Sequence, residues 1–292
     1  MVLAIDVGNT NIAVGCIDGG DISRVFRLST NTAKTAHECA ADLRSMLEFH
    51  DRATYETASP ASNAVGQGSQ TLQPVPPSTN PYSLIPNPSI DGAVISCVVP
   101  PLTRVFKDAV KLLAGVNAIV VGAGVKTGIN ILIDDPAQLG GDMVATAVGA
   151  LASYTPPIII VDMGTATKMC AIDKNGSFLG GAIVPGLALS MDALAAGTSQ
   201  LPRVPLEAPS KCISANTIDC MKSGAIYGSA AMIDGMTERF ETELGDRAQV
   251  VITGGFADLV YRHCKHDIIH DPHLILRGLG IIYEKNAKAV KP

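Results

Sequence analysis

Apolar residues along this chain fall into two kinds of pattern. Short unbroken runs occur at 2–6, 92–99 and 158–161, and such runs between turn residues are typical of buried strands. Residues 34–49 and 139–154 instead carry Ala, Leu and Met at helical spacing, which predicts helices. Together the two patterns predict an α/β protein.

The predicted elements come in the same order in both halves of the chain. Strands and helices are predicted in the first half at 2–6, 12–18, 22–29, 34–49, 92–99, 101–114, 118–121, 129–133 and 139–154, and in the second at 158–161, 168–173, 177–184, 186–197, 217–243, 250–259 (a strand running into a helix) and 274–289. Each half therefore reads β-β-β-α-β-α, which is the pattern of the actin-like, sugar-kinase-like ATPase fold. We expect two duplicated actin-like (ASKHA, ribonuclease H-like) domains, at 1–153 and 154–292, with a nucleotide cleft between them.

Residues 51–90 interrupt this order. They are rich in Ser, Thr, Asn, Gln and Pro, as in LQPVPPSTNPYSLIPNPS, and are too polar for a core element. This composition predicts a long loop or a disordered insertion, for which a solvated linker is favoured over a lid.

Two strands run into the same kind of turn. LAIDVGNTN (3–11) and IIIVDMGTAT (158–167) each place an Asp at the strand end, followed by Gly and then Asn or Thr. Backbone amides in such tight loops form sites for anions, so two facing copies could hold the phosphates of one nucleotide. A single turn of this kind is ordinarily structural, but a third glycine turn after an apolar strand, Thr253-Gly254-Gly255, strengthens the prediction of nucleotide binding.

Phosphoryl transfer requires fixed phosphates, offset charge and an aligned acceptor hydroxyl. Asp6 is a candidate Mg²⁺ ligand, directly or through water, while Asn9, Thr10 and Asn11 suit phosphate oxygens. Asp142 follows two glycines in the first turn of a predicted helix, where the positive helix end stabilises a carboxylate, and it is the candidate general base. A plain N-terminal helix carboxylate is the alternative for this residue. The P-loop pattern GxxxxGK[ST] and the dinucleotide pattern GxGxxG are absent from the sequence.

The composition and net charge argue against two classes of binding partner. The net charge is −5, aromatic residues make up 4% and there is no Trp, so neither a nucleic-acid nor an acidic-membrane partner is expected. No stretch predicts a membrane span, and MVLAID predicts a first strand rather than a signal peptide. The seven cysteines show no CxxC spacing, which is typical of reduced thiols in a cytoplasmic protein.

A series of longer motifs runs along the chain in a fixed order: DVGNTN (6–11), SCVVPPLT (96–103), VKTGI (125–129), DPAQLGGD (135–142), VDMGTAT (161–167), FLGGAIVPGL (178–187), TSQLPRV (198–204), IYGSAAMIDGM (226–236), VITGGFADL (251–259) and LGIIYEKN (279–286). Through these motifs the chain resembles the type III pantothenate kinase family over nearly its whole length, with residues 51–90 outside the resemblance. The resemblance implies ATP-dependent phosphorylation of pantothenate to 4′-phosphopantothenate, the first step of coenzyme A biosynthesis, by a homodimer.

The resemblance also implies roles for individual residues. Asp142 would accept the proton of the pantothenate hydroxyl, and Asp162 would help to bind a monovalent cation, K⁺ or NH₄⁺. The residues implied to contact ATP are Asp6, Val7, Gly8, Asn9, Thr10, Asn11, Ile12, Ala13 and Thr165. Those implied to contact pantothenate are Gly140, Gly141, Asp142, Met143 and Thr198.

Two positions depart from the family pattern. Met143 stands where the family usually has an Arg that is expected to pair with the pantothenate carboxylate, a contact that a thioether cannot make. Lys168 stands where the family commonly has Thr, and it could supply a replacement cation. The sequence therefore leaves three readings open: an active pantothenate kinase, a divergent ATP-binding paralogue with weak or no such activity, and a kinase for a related hydroxyl compound.

Overall fold

A computed structural model of the protein describes residues 1–58 and 89–287, and for residues 49–58 it describes the backbone only. Within these ranges the chain forms two sheets with helices between and outside them. The strands are β1 (Val2–Val7), β2 (Asn11–Asp18), β3 (Asp21–Ser29), β4 (Gly92–Cys97), β5 (Ala118–Val120), β6 (Asn130–Ile131), β7 (Ile158–Met163), β8 (Ala166–Ile172), β9 (Ser177–Pro185), β10 (Gln249–Thr253) and β11 (Ile268–His270). The helices are α1 (Ala36–Ala58), α2 (Pro100–Ala114), α3 (Gly141–Ser153), α4 (Leu187–Ala196), α5 (Thr217–Leu244), α6 (Ala257–Val260) and α7 (Leu274–Ala287).

The two sheets have matching topologies. The first has the strand order β3-β2-β1-β4-β5 and the second β11-β10-β7-β8-β9-β6. In each, three consecutive strands form an antiparallel meander, and the first of them also pairs in parallel with a later strand, β4 or β10. The repeated order predicted from the sequence is thus present in both halves.

Helices α3 and α7 form a layer between the sheets. One side of α3, with Val144 and Val148, packs with α7 against the first sheet. Its other side, with Met143 and Ala147, packs against the second sheet. Helices α1 and α2 cover the outer face of the first sheet, and α5 and α6 cover that of the second. A helix that is apolar on nearly every side, as α3 is, is expected to be buried on both sides in this way.

Two local predictions concern the two ends of α1. The capping box predicted before α1 is present, because Glu38 N–H donates to Thr35 Oγ1 at 3.3 Å and Thr35 N–H donates to Glu38 Oε2 at 2.7 Å. The prediction of a loop from residue 51 was wrong for 51–58, which continue α1; these eight residues contain neither Pro nor Gly to end the helix. Residues 59–88 of that segment lie outside the described residues, and 89–90 have no regular secondary structure.

The connection between the halves also differs in detail from the prediction. The strand predicted at 129–133 is only the two-residue β6, and it pairs with β9 of the second sheet. At the other end of the chain, α7 packs on the first sheet through Leu276, Leu279 and Ile282. Each lobe, meaning one sheet with the helices on it, therefore includes an element from the other half of the sequence. The domain limits 1–153 and 154–292 stay a prediction.

Candidate functional site

The two Asp-x-Gly turns lie against each other. Asp6 is the penultimate residue of β1, and Asp162 is the penultimate residue of β7. The turns that follow touch directly, because the hydroxyls of Thr10 and Thr165 are 2.7 Å apart. Since both strands lead out of their sheets toward this contact, their carboxyl ends form one site, as is usual for ligand sites in open α/β sheets.

The first turn presents a polar edge to solvent. Asn9, Thr10 and Asn11 are exposed, and Gly8 N–H donates to Asn11 O at 3.0 Å to close the turn. The other predicted ATP contacts in this segment, Val7, Ile12 and Ala13, have their side chains in the core. These three positions could therefore contribute only main-chain groups to a ligand.

The third glycine turn packs on the second Asp turn. Gly254 has a φ of +98°, and a Cβ there would lie 2.6 Å from the backbone of Met163. A side chain at this position would therefore clash and also strain the backbone. Phe256 N–H donates to Met163 O at 3.2 Å, which fixes the two turns to each other, while the space around Gly255 is open.

Asp142 enters the same site from the start of α3. Gly140 is the N-cap residue of this helix, and Met143 N–H donates to Asp142 Oδ1 at 2.8 Å. A Cβ on Gly140 would overlap Asp142 Oδ1, and one on Gly141 would come within 3.0 Å of Val121 O. The two glycines thus leave room for the carboxylate between helix and sheet, which is a packing reason for the Gly-Gly-Asp sequence.

Lys168 joins Asp142 to Asp162. Its Nζ lies 2.6 Å from Asp142 Oδ2 and 2.8 Å from Asp162 Oδ2, and the three side chains are 13–19% exposed. Burial alone would lower the pKa of Lys168, but the carboxylates of Asp162 and Asp142 outweigh this effect and raise it. The ammonium is therefore a fixed positive charge between two lobes.

Asp6 is the carboxylate of the site that no cation contacts among the described residues. Its buried Oδ1 and the buried Oγ of Ser96 on the neighbouring strand β4 make no hydrogen bond of acceptable geometry in the described residues, although Ser96 is close enough to lower the pKa of Asp6 slightly. Burial, followed by the charges of Asp142 and Asp162, raises the pKa of Asp6 to about 7. A buried oxygen without a partner is what a carboxylate awaiting a cation presents, so Asp6 fits the predicted role of Mg²⁺ ligand.

The side chains of Met143 and Thr198, the two remaining predicted contacts to the substrate, do not point to the carboxylates of the site. Met143 is 8% exposed and packs in the apolar cluster with Ala147, Ile160 and Phe178. Thr198 follows α4, and its hydroxyl donates to Leu194 O at 2.9 Å. No hydrogen bond in the described ranges joins Thr198 to the carboxylates of the site, so its role stays a prediction.

Sequence reasoning did not identify Ser96 and did not place Lys168. Ser96 is directly paired with Asp6 in the register of β1 and β4, and Lys168 is directly paired with Asp162 in that of β7 and β8. The strand pairing was predictable, but the register that brings these side chains together was not. In the part of the chain that the structure covers, no group of three or more His, Cys, Asp or Glu side chains is arranged to hold a metal ion, and no helix is long and apolar enough to cross a membrane.

Comparison with solved structures supports the fold. A candidate Baf family transcriptional activator from Campylobacter jejuni aligns over 98% of this chain and 99% of its own with a TM-score of 0.55 at 19% identity. A candidate 2-dehydro-3-deoxygalactonokinase from Sinorhizobium meliloti aligns over 99% of both chains with a TM-score of 0.53 at 12% identity. At these identities the likeness concerns the fold alone, which is the actin-like α/β fold.

Sequence comparison is more specific. Residues 2–76 and 78–239 match the model of the type III pantothenate kinase family, so residues 51–76, which we placed outside the resemblance, in fact align with it. A type III pantothenate kinase of Exiguobacterium sp. is 36% identical over 99% of this chain and 100% of its own length. One of Moorella thermoacetica is 36% identical over 98% of this chain and 100% of its own. The chain belongs to the type III pantothenate kinase family.

Proposed function

We propose that this protein transfers the γ-phosphoryl group of ATP to the primary hydroxyl of pantothenate, giving 4′-phosphopantothenate and ADP, the first step of coenzyme A biosynthesis. The observation that carries the proposal is that three carboxylates from three elements lie at one site: Lys168 bridges Asp142 and Asp162, and the charges of both act on Asp6. Family membership over almost the full length of the chain supplies the acceptor.

The first turn and its partner are proposed to bind ATP. Exposed Asn9, Thr10 and Asn11, with Thr165 opposite, would contact phosphate oxygens, and Gly8 would keep the turn tight beside them. Val7, Ile12 and Ala13 would contribute backbone only. When bound, Mg²⁺ would offset the phosphate charge, and Asp6 Oδ1 is the oxygen available to hold it. One carboxylate plus nucleotide phosphates is a usual set of protein ligands for Mg²⁺ in kinases.

Asp142 is proposed as the proton acceptor. Its Oδ1 and Oδ2 each accept one hydrogen bond, from Met143 N–H and Lys168 Nζ, and each oxygen keeps a second lone pair for the substrate hydroxyl. The same two contacts hold the carboxylate in one orientation. A base fixed on a helix start in this way can align the hydroxyl for in-line attack, which is most of what phosphoryl transfer asks of the protein.

The acceptor pocket is proposed to lie along Gly140, Gly141 and Asp142, extending to Met143 and Thr198. The thioether of Met143 turns into the core and offers no charge to the pantothenate carboxylate. That carboxylate must be held by groups other than residue 143, or be left in solvent.

The residues around Asp162 do not fit a monovalent cation as they stand. Lys168 Nζ lies 2.8 Å from Asp162 Oδ2, where an added cation would meet an ammonium of the same charge. No step of the proposed reaction therefore passes through K⁺ or NH₄⁺.

A homodimer in the cytoplasm is part of the proposal. Large apolar side chains are exposed on β9 and the adjacent α4, with Ile183 76% and Leu189 51% exposed. Exposed apolar side chains grouped on neighbouring elements are typical of protein interfaces. Sedimentation analysis of the wild type and of Ile183→Asp tests this part, since the variant should be monomeric if this face forms the dimer.

The activity itself is tested with purified protein, ATP, Mg²⁺ and pantothenate. ADP release and the mass of 4′-phosphopantothenate are measured together, and Asp142→Asn serves as the inactive control. Nucleotide binding without ADP release would instead support an ATP-binding paralogue, a reading that the match to full-length relatives does not favour. ADP release with other hydroxyl acceptors alone would assign a different substrate.

A further inference from the structure

The two lobes differ at one position that matters for charge. In the first lobe Asp6 is directly opposite Ala13 on the neighbouring strand, and in the second Asp162 is directly opposite Lys168. Directly opposed residues of an antiparallel pair lie on the same face of a sheet. The second lobe therefore carries a positive charge on its own acidic residue, where the first lobe carries a methyl group.

The ammonium of Lys168 is shared by carboxylates from different elements. Asp162 belongs to β7 and Asp142 to α3, and Nζ is within 2.8 Å of an oxygen of each. Without Lys168, these two carboxylates would face each other with no positive charge between them, so the position calls for a cation, and the ammonium supplies it. A lysine ammonium is a compact charge on a flexible stem, which suits it to take the place of a small ion.

We propose that the Lys168 ammonium replaces the monovalent cation at Asp162, so that ATP binding and turnover in this protein are independent of K⁺ and NH₄⁺. This inference rests on the proposed function and concerns the same site. In this role Lys168 is a positioning residue, because it contacts the carboxylates of Asp142 and Asp162 and acts through them.

The first experiment measures turnover in chloride salts of K⁺, NH₄⁺, Na⁺ and tetramethylammonium at constant ionic strength. The wild type should differ by less than about 2-fold among them. Lys168→Thr, which restores space and an oxygen, should lose at least about 10-fold in tetramethylammonium and recover in K⁺ or NH₄⁺. Lys168→Met, which removes the charge without supplying an oxygen, should not recover to the same extent.

Lys174→Thr is the matched control. Lys174 is exposed in the turn between β8 and β9, a few residues from Lys168 on the same hairpin. This variant should behave as the wild type in all four salts. A response of Lys174→Thr to K⁺ equal to that of Lys168→Thr would show a general salt effect and overturn the inference.

A second measurement does not depend on turnover. The dissociation constant of ATP, from calorimetry, and the melting temperature are compared with and without K⁺. Both should be unchanged by K⁺ in the wild type, and in Lys168→Thr the ATP affinity should fall and be recovered by K⁺. If the variant does not fold, the measurements on the wild type with and without K⁺ still test the inference.

The outcomes separate this inference from the proposed function. Wild-type activation by K⁺ of about 10-fold or more overturns the inference and leaves pantothenate phosphorylation intact. Absence of turnover in every salt contradicts the proposed function, and K⁺-independent ATP binding would then still support the role of Lys168.

Discussion

Gly278→Ala should test whether the layer between the sheets positions Asp142. Gly278 in α7 lies against α3, and a Cβ there would be 2.7 Å from the carbonyl carbon of Ala145, 2.9 Å from Gly149 N and closer still to Ala145 O. Real Cβ atoms essentially never approach other atoms below 3.0 Å. Because the neighbours are backbone atoms, they cannot rotate away, and the two helices must separate.

The expected magnitude combines two opposing terms. Overpacking costs about 1–3 kcal/mol, while replacing Gly by Ala inside a helix gains about 1 kcal/mol. Gly224→Ala in α5 is the matched control, since Gly224 is exposed and a Cβ there would meet nothing within 4 Å. Gly224→Ala should therefore be more stable than the wild type, and Gly278→Ala less stable by up to about 2 kcal/mol.

Catalysis should respond more strongly than stability. Asp142 lies one turn before Ala145 in α3, so moving the helix moves the carboxylate. A displacement of about 1 Å at reacting groups can cost on the order of 100-fold in rate. We expect kcat for pantothenate to fall toward that limit in Gly278→Ala and to be unchanged in Gly224→Ala, as measured by ADP release and urea unfolding. Equal stability and equal kcat in the two variants would refute the positioning role of the α3–α7 contact.

Three further variants probe individual groups. Asp142→Asn should lower kcat by at least about 100-fold while calorimetry still detects ATP binding, and unchanged turnover would reject the base assignment. Burial would raise the pKa of Asp234, but hydrogen bonds from Lys265 and His266 outweigh this effect and hold the pKa below its usual value of 3.8. Ionised Asp234 therefore stabilises the fold fully above pH 3.8, and this contribution is lost as the pH falls through the folded pKa. Asp234→Asn should thus destabilise the protein by about 1–3 kcal/mol in urea unfolding at pH 7 and by less below pH ~4; a pH-independent difference would contradict this. Met143→Arg should cost more than about 2 kcal/mol, against less than about 1.5 for Met143→Leu, because the site is apolar; an equally stable Arg variant with a lower KM for pantothenate would show that the side chain reaches the pocket.

The strands and their turns were predictable because their signals are local. An apolar run ending in Asp-x-Gly locates β1 and β7 with the correct first residue and a last residue one or two positions too early, and boundaries are usually less certain than this. Helix α3 was predicted at 139–154 and begins at Gly141, two residues later, because Gly140 serves as the N-cap. In each case the residues that decide the structure are adjacent in sequence.

The other features depend on residues that are distant in sequence. Nothing in 129–133 shows that two of its residues pair with β9, and an amphipathic pattern does not show that α7 would pack on the first sheet. The contact between Lys168 and Asp142 is of the same kind, since it depends on the register of β8 and on where α3 begins. The sequence identified the acidic residues of the site and left their mutual arrangement to the tertiary structure.

The two departures from the family pattern are explained together by this arrangement. Met143, where the resemblance predicts an Arg, places an apolar side chain in the core, while Lys168, where it predicts a Thr, brings a positive charge to Asp142 from β8. The charge beside the candidate base is therefore kept, but it comes from the other lobe and is engaged by two carboxylates of the protein. An ammonium held in this way has little capacity left for a third carboxylate, so we predict that neither residue 143 nor Lys168 provides a charged contact to the acceptor.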